Sequence, residues 1–143
     1  MLGDSGEVQP DQHLRISEAF GGRSRIEGRF LVGPPELIVE VGYSSRSYDL
    51  GPKMADYERA GVAEYLFVGV DPEEVRWFVL RDERYTSSPP GDDGLFRSEV
   101  FPGLWLDPDA LFADDYHALI AGLNRGLATP ERAAFVSRLA GPR

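Results

Sequence analysis

Pro34-Pro-Glu-Leu-Ile-Val-Glu-Val-Gly-Tyr-Ser-Ser-Arg-Ser-Tyr-Asp-Leu-Gly-Pro-Lys-Met-Ala-Asp-Tyr57 reads as a strand, a polar turn and a helix, and the rest of the chain is arranged around it. Leu37, Val39 and Val41 alternate with Glu36, Ile38 and Glu40, so a period of two places both glutamates on one face and the aliphatics on the other. This predicts two carboxylates on the polar face of a strand. After the turn, Asp49 and Pro52 predict a helix start, because proline suits the first turn and an acid suits the N-terminal dipole. Gly61 predicts its end. Helical spacing gathers Leu50, Lys53, Met54 and Tyr57 on one stripe. A lysine there ordinarily lays its methylenes along the core and sends its ammonium to solvent, which is the expectation from residue type alone. The sharper alternative points the ammonium at Glu40.

Ala63–Val70, with Tyr65 and Phe67 opposite Leu66, Val68 and Val70, predicts a buried strand after the helix. Strand, helix and strand form a crossover, which makes the two strands parallel and puts an α/β layer at the centre of the fold. Asp71-Pro72-Glu73-Glu74 predicts a turn into a further strand, Val75–Arg81, closing a hairpin. On the N-terminal side, Val8–Ile16 predicts a strand whose Pro10 confines it to an edge position or a strand start, with Leu14 and Ile16 on one face and Asp11, His13 and Arg15 on the other. Ser17–Arg29, with Gly21-Gly22 and mixed charge, reads as a long polar connection before Phe30–Val32. A short extended piece around Tyr85 precedes an exposed Pro/Gly loop up to Gly94; Leu95–Phe101 and Leu104–Leu106 resume extended structure. Asp107-Pro108 predicts a capped helix running to near Gly126, and Thr129-Pro130 repeats the device for a last helix.

The 143 residues, 42% hydrophobic, fit one domain spanning 1–143. With no cysteine, disulfides and thiolate metal sites are excluded, and a cytoplasmic location is compatible. No run is long enough for a membrane span and the N-terminus lacks signal-peptide features, so a soluble chain with no membrane partner is expected. Twenty-four acidic against 15 basic residues give a formal charge of -9, which argues against strong non-specific binding to polyphosphate. Arg23, Arg25 and Arg29 are a candidate basic patch, though solvated loop charges are the plainer account.

Hard divalent cations bind one or two protein carboxylates and keep several waters. Asp11 and Glu40, on neighbouring strands with the same facing, could supply that pair, and Lys53, the single lysine of the chain, could stabilise charge on a transferring phosphoryl group. Glu36 competes as a third site carboxylate or is a strand-edge charge. His13 shares Asp11's face but has no histidine partner at ligand spacing, since His117 stands in a distant helix.

This string, with Val8-Gln9-Pro10-Asp11 before it and Gly61-Val62-Ala63-Glu64-Tyr65 after it, resembles the Uma-two family of putative restriction endonucleases, a branch of the PD-(D/E)XK nuclease superfamily. The resemblance continues through Trp77-Phe78-Val79-Leu80 and Phe96–Leu106 into the C-terminal helices. It implies a restriction-endonuclease-like α+β core, a mixed central sheet flanked by helices, with the site on a β-hairpin. By motif, Asp11 matches the superfamily's first acidic residue and Glu40 the acidic residue of its third element. Both would ligate Mg²⁺, with Mn²⁺ as an alternative, for cleavage of DNA. The superfamily's lysine would fall at Gly42, so the usual E-x-K pattern fails, and Lys53 on the following helix matches the place where this family carries its lysine. Family members usually carry a longer N-terminal region, which makes a shortened domain the expectation here. Such a chain is either an active Mg²⁺-dependent endonuclease using Asp11, Glu40 and Lys53, or an inactive nuclease-fold domain used for binding or for pairing as a homodimer.

Overall fold

The computed structural model describes residues 10–43 and 45–141. The chain divides into two compact units, one ending at Ser87 and the other beginning at Ser88. In the first, strands β1 (Gln12–Leu14), β2 (Arg25–Glu27), β3 (Phe30–Val32) and β4 (Leu37–Gly42) are followed by helices α1 (Arg46–Asp49) and α2 (Pro52–Ala60), then β5 (Glu64–Val70), β6 (Glu73–Arg81) and β7 (Arg84–Ser87). Among the described residues, five of these strands form one sheet in the order β1-β4-β5-β6-β7. Only the β4–β5 pair is parallel, as a crossover through α1 and α2 requires. The fold is therefore α+β, a mixed sheet flanked by helices.

The core of this unit sits between the sheet and α2. Ile38 of β4, Tyr57 of α2, Val62, Tyr65 and Phe67 of β5, and Phe78 of β6 form one buried cluster, with Leu50, Met54 and Tyr85 packed on it. Register explains the membership: Ile38 stands beside Tyr65, Glu40 beside Phe67, and Tyr65 beside Phe78, so these side chains share one face. The face that carries Glu40 is thus the one packed against α2, whereas Val41 on the opposite face is 42% exposed. This corrects the expected facing, since the aliphatic positions at this end of β4 do not mark the helix-covered side. Aromatic rings supply much of the burial, with Tyr57 and Tyr65 centroids 5.5 Å apart. Removing such a ring costs about 3–5 kcal/mol.

Pro52 starts α2 and Gly61 ends it, in the left-handed conformation at φ 82° that glycine adopts freely. Asp49, expected at that helix start, instead ends the short α1. The Ser17–Arg29 segment is more ordered than a polar connection, holding a 3₁₀ turn at Glu18–Phe20 and the β2–β3 hairpin. Arg25 pairs there with Glu27 and Arg23 donates to the Gly61 carbonyl, which fits locally bonded loop charges better than a basic patch.

In the second unit, β8 (Phe96–Arg97) and β9 (Trp105–Leu106) pair antiparallel, followed by α3 (Pro108–Phe112), α4 (Tyr116–Leu127) and α5 (Pro130–Leu139). Asp107 caps α3 through the Ala110 amide and Thr129 caps α5 through the Arg132 amide, as Asp107-Pro108 and Thr129-Pro130 predict. The helical stretch expected from Asp107 to near Gly126 is divided into two helices. Asp114 takes a positive φ of 54°, and Asp115 then caps a new helix through the Ala118 amide. No helix among the described residues is long and apolar enough to cross a membrane.

Candidate active site

Glu40 is 1% exposed, and three donors converge on it, one from the residue just before β1 and two from α2. The Asp11 amide donates to Oε1 at 2.9 Å, Lys53 Nζ donates to Oε2, and the Tyr57 hydroxyl approaches Oε1 at 3.4 Å. The antiparallel β1–β4 register, which sets Gln12 opposite Val39, carries Asp11 to Glu40's side one step further on. Asp11 is fixed reciprocally, because its Oδ2 accepts the Val41 amide at 2.8 Å. The structure thus brings together Asp11, Glu40 and Lys53. The strands carrying the two acids are not joined by a tight hairpin, since β2 and β3 intervene between them.

Lys53 follows the sharper of its two readings. Its side chain is only 15% exposed, and the ammonium turns inward to Glu40 because α2 crosses the end of β4 with this stripe facing the sheet. Its Nζ also lies 3.6 Å from Oδ1 of Asp49, four residues back at the end of α1, and 5.7 Å from the centre of the Tyr48 ring. Asp49 is a member of this cluster that the sequence reading assigned only to a helix terminus. It is 3% exposed, its Oδ2 accepts from the Ser45 hydroxyl at 2.5 Å, and its backbone carbonyl accepts from Tyr65 at 2.8 Å. The spacing of four between Asp49 and Lys53 was the available signal. Gly42 makes room for it: a Cβ at that position would lie 2.7 Å from Asp49 Oδ2, 2.9 Å from Phe67 Cε1 and 3.0 Å from Ser45 Oγ.

The electrostatics follow from burial opposed by pairing. Burial pushes the Glu40 carboxyl above its usual range, against the lowering effect of the Lys53 and Asp11 hydrogen bonds. Burial also works against the Lys53 ammonium, but its bond to Glu40 and the charges of Glu40, Asp49 and Asp11 raise its pKa above the ordinary lysine value. Lys53 is therefore held cationic. Desolvation, then the charge of Glu40, pushes the Tyr57 and Tyr65 hydroxyls far up, so both remain neutral hydrogen-bond donors.

Glu36 does not join this group. It is 5% exposed, and its carboxylate accepts the amides of Ile16 at 2.6 Å and Arg23 at 3.5 Å, which pins the loop after β1. It is neither a site carboxylate nor a strand-edge charge, but an internal acceptor for loop backbone. His13 is exposed on β1.

Two oxygen-donor carboxylates on adjacent strands fit a hard divalent ion that keeps most of its waters, not one enclosed by protein. Among the described residues no group of three or more histidines and carboxylates is gathered for a metal. Asp11 is exposed and Oδ1 accepts no hydrogen bond from the described residues, so one ligand oxygen is ready; Glu40 would have to share Oε2 with Lys53.

No curated protein matches the chain significantly. A family model described as "Uma2: Putative restriction endonuclease" matches residues 2–109. The matched span holds β1, β4 and α2 with Asp11, Glu40 and Lys53, and stops before α4 and α5, so the expected likeness in the C-terminal helices is carried only to 109. Families of this nuclease type generally use divalent metals. With most of its length inside the match, the chain belongs to the Uma2 family of restriction-endonuclease-like proteins.

Proposed function

We propose that the chain is a Mg²⁺-dependent endonuclease that hydrolyses DNA phosphodiester bonds, with Asp11 and Glu40 as the metal ligands and Lys53 as the cation that stabilises the transition state. The observation that carries this reading is the convergence on Glu40 of Asp11, just ahead of β1, and Lys53 from α2, groups far apart in sequence. A bound divalent cation supplies positive charge that acidifies water and offsets the charge of phosphate oxygens. Asp11, exposed and anchored by the Val41 amide, presents one carboxylate oxygen outward. Glu40, fixed by its buried setting, presents the other ligand from a position that thermal motion blurs little. Lys53, kept cationic by its acidic neighbours, places a compact positive charge where negative charge grows on the phosphoryl oxygens. Mn²⁺ would serve in place of Mg²⁺, since both are hard ions suited to oxygen donors. At a formal charge of -9, attraction of DNA rests on the site and its cation, not on the surface at large. We place this activity in the cytoplasm, in keeping with the absence of cysteine.

One observation favours a second reading. Both oxygens of Glu40 already accept protein donors, as they would in a domain that keeps the nuclease core only to bind or pair. β1 is an edge strand of the sheet, and Leu14 on it and Val41 nearby are exposed, which suits a second copy of the chain. Cleavage of supercoiled and linear DNA at low salt, with and without Mg²⁺ or Mn²⁺, decides between the two. The endonuclease predicts cleavage lost in Glu40→Ala and in Lys53→Ala. The binding domain predicts none in any of the three, with dimerisation visible by sedimentation.

A further inference from the structure

Lys53 Nζ stands between two carboxylates, bonded to Glu40 Oε2 and within ion-pair reach, at 3.6 Å, of Asp49 Oδ1. Asp49 is an unusually well-fixed partner. Its Oδ2 is held by Ser45 at 2.5 Å, its carbonyl by Tyr65 at 2.8 Å, and the missing side chain of Gly42 leaves the space it fills. Its second oxygen is left facing the ammonium. Glu40 Oε2, by contrast, would have two claimants once a cation binds, and the cation's pull on that oxygen would weaken its bond to the ammonium.

We propose that Asp49 is a positioning residue that receives the Lys53 ammonium when Glu40 turns to the divalent cation, so that Nζ moves from Glu40 Oε2 to Asp49 Oδ1 and stays within the site. The inference rests on the reading of Asp11 and Glu40 as metal ligands. It gives a use to a carboxylate that is 3% exposed and lies four residues before the lysine. Without Asp49, freeing Glu40 would strand the ammonium in a poorly hydrated place, and the cation would bear that cost.

The test is Mn²⁺ affinity by titration calorimetry on the full chain, which reads binding without activity. Asp49→Asn should weaken Mn²⁺ binding about tenfold, the lower end of the loss seen when a group that orients a metal ligand is removed. In a Lys53→Gln background the same change should alter affinity by less than about twofold. Equal loss in both backgrounds would mean that Asp49 acts only through its charge, and no loss in the wild-type background would mean that it does not act; either overturns the proposal. Ser45→Ala keeps the carboxylate but loosens its aim, and should give a smaller loss, again only with Lys53 present. If Asp49→Asn does not fold, the Ser45→Ala pair decides by the same criterion. Absence of Mn²⁺ binding in the wild type, or binding unchanged in Glu40→Gln, overturns the metal reading itself and is distinct from both results above.

Discussion

One buried glutamate stands just ahead of β4 and another lies near its end, and the two behave differently. Ahead of the strand, Glu36 accepts the backbone amides of Ile16 and Arg23 and, among the described residues, no side-chain donor. Near its end, Glu40 accepts from an ammonium, a tyrosine hydroxyl and the Asp11 amide just ahead of the neighbouring strand. Four residues apart in sequence, the first carboxylate satisfies a loop and the second gathers side-chain donors from a helix. Burial therefore does not set the two acids apart; the identity of the donors does. Amides offer fixed partial charge and nothing to exchange, whereas lysine offers a mobile charge that can be traded for a metal.

The largest effect that tests this contrast is on rate. Glu40→Ala and Lys53→Ala should each lower DNA cleavage by about a thousandfold, about 4 kcal/mol of transition-state stabilisation, in a single-turnover assay. Glu36→Ala should leave the rate per folded molecule unchanged, and a comparable loss there would erase the distinction between the two acids. In stability the order reverses. Glu36→Ala strands the Ile16 and Arg23 amides and should cost about 3 kcal/mol, read as a lower urea midpoint with an unchanged slope. Glu40→Gln, which keeps the shape and leaves Lys53 its Asp49 neighbour, should cost about 1 kcal/mol.

A smaller effect sharpens the same comparison through pH. The folded Glu40 carboxyl has a raised pKa, so the native state holds that proton more tightly than the unfolded chain does. Its contribution to stability is full below the usual value of 4.5 and is lost as pH rises through the folded pKa. The melting temperature of the wild type relative to Glu40→Gln should therefore fall on passing from acid toward neutral pH. Lys53, also raised, contributes stability that is full below 10.5 and is lost only in stronger alkali, which gives a second and separate decline.

The smallest effect belongs to an exposed pair outside the site. Arg97 donates to Asp93 and stacks 4.0 Å over the Trp105 ring, and its hydrogen bond, with that of the Leu95 amide, lowers the Asp93 pKa to about 2. Stability from this shift is present above 3.8 and fades as pH falls toward about 2. Arg97→Ala should return the Asp93 titration, followed by NMR, toward the ordinary carboxylate range with no resolvable change in melting near neutral pH.

Much of this was legible because the signals are local. The β4–α2–β5 crossover, the β5–β6 hairpin and the caps at Asp107 and Thr129 each follow from a few adjacent residues. The grouping of Asp11, Glu40 and Lys53 came from family likeness, with periodicity adding only their facing. What escaped was set by contacts distant in sequence. Val39 and Val41 look like core positions, yet helix packing chose the face with Ile38 and Glu40, because Lys53 and Tyr57 arrive there to satisfy the acid. The β2–β3 hairpin did carry a local cue, Gly28-Arg29 at the turn with Gly28 at φ 64°, hidden by the surrounding charges. Asp115 as a second cap, and hence the break between α3 and α4, was likewise written in Asp114-Asp115.

The space beside Gly42 couples the strand to the helix lysine. A side chain two residues after Glu40 and the Asp49 carboxylate beside Lys53 compete for the same room. Any side chain at position 42 starts within 3.0 Å of Asp49, Phe67 and Ser45. A longer side chain at 42 would therefore displace the Asp49 carboxylate, the Ser45 hydroxyl or the Phe67 ring, and with Asp49 it would disturb the carboxylate that lies 3.6 Å from the helix lysine.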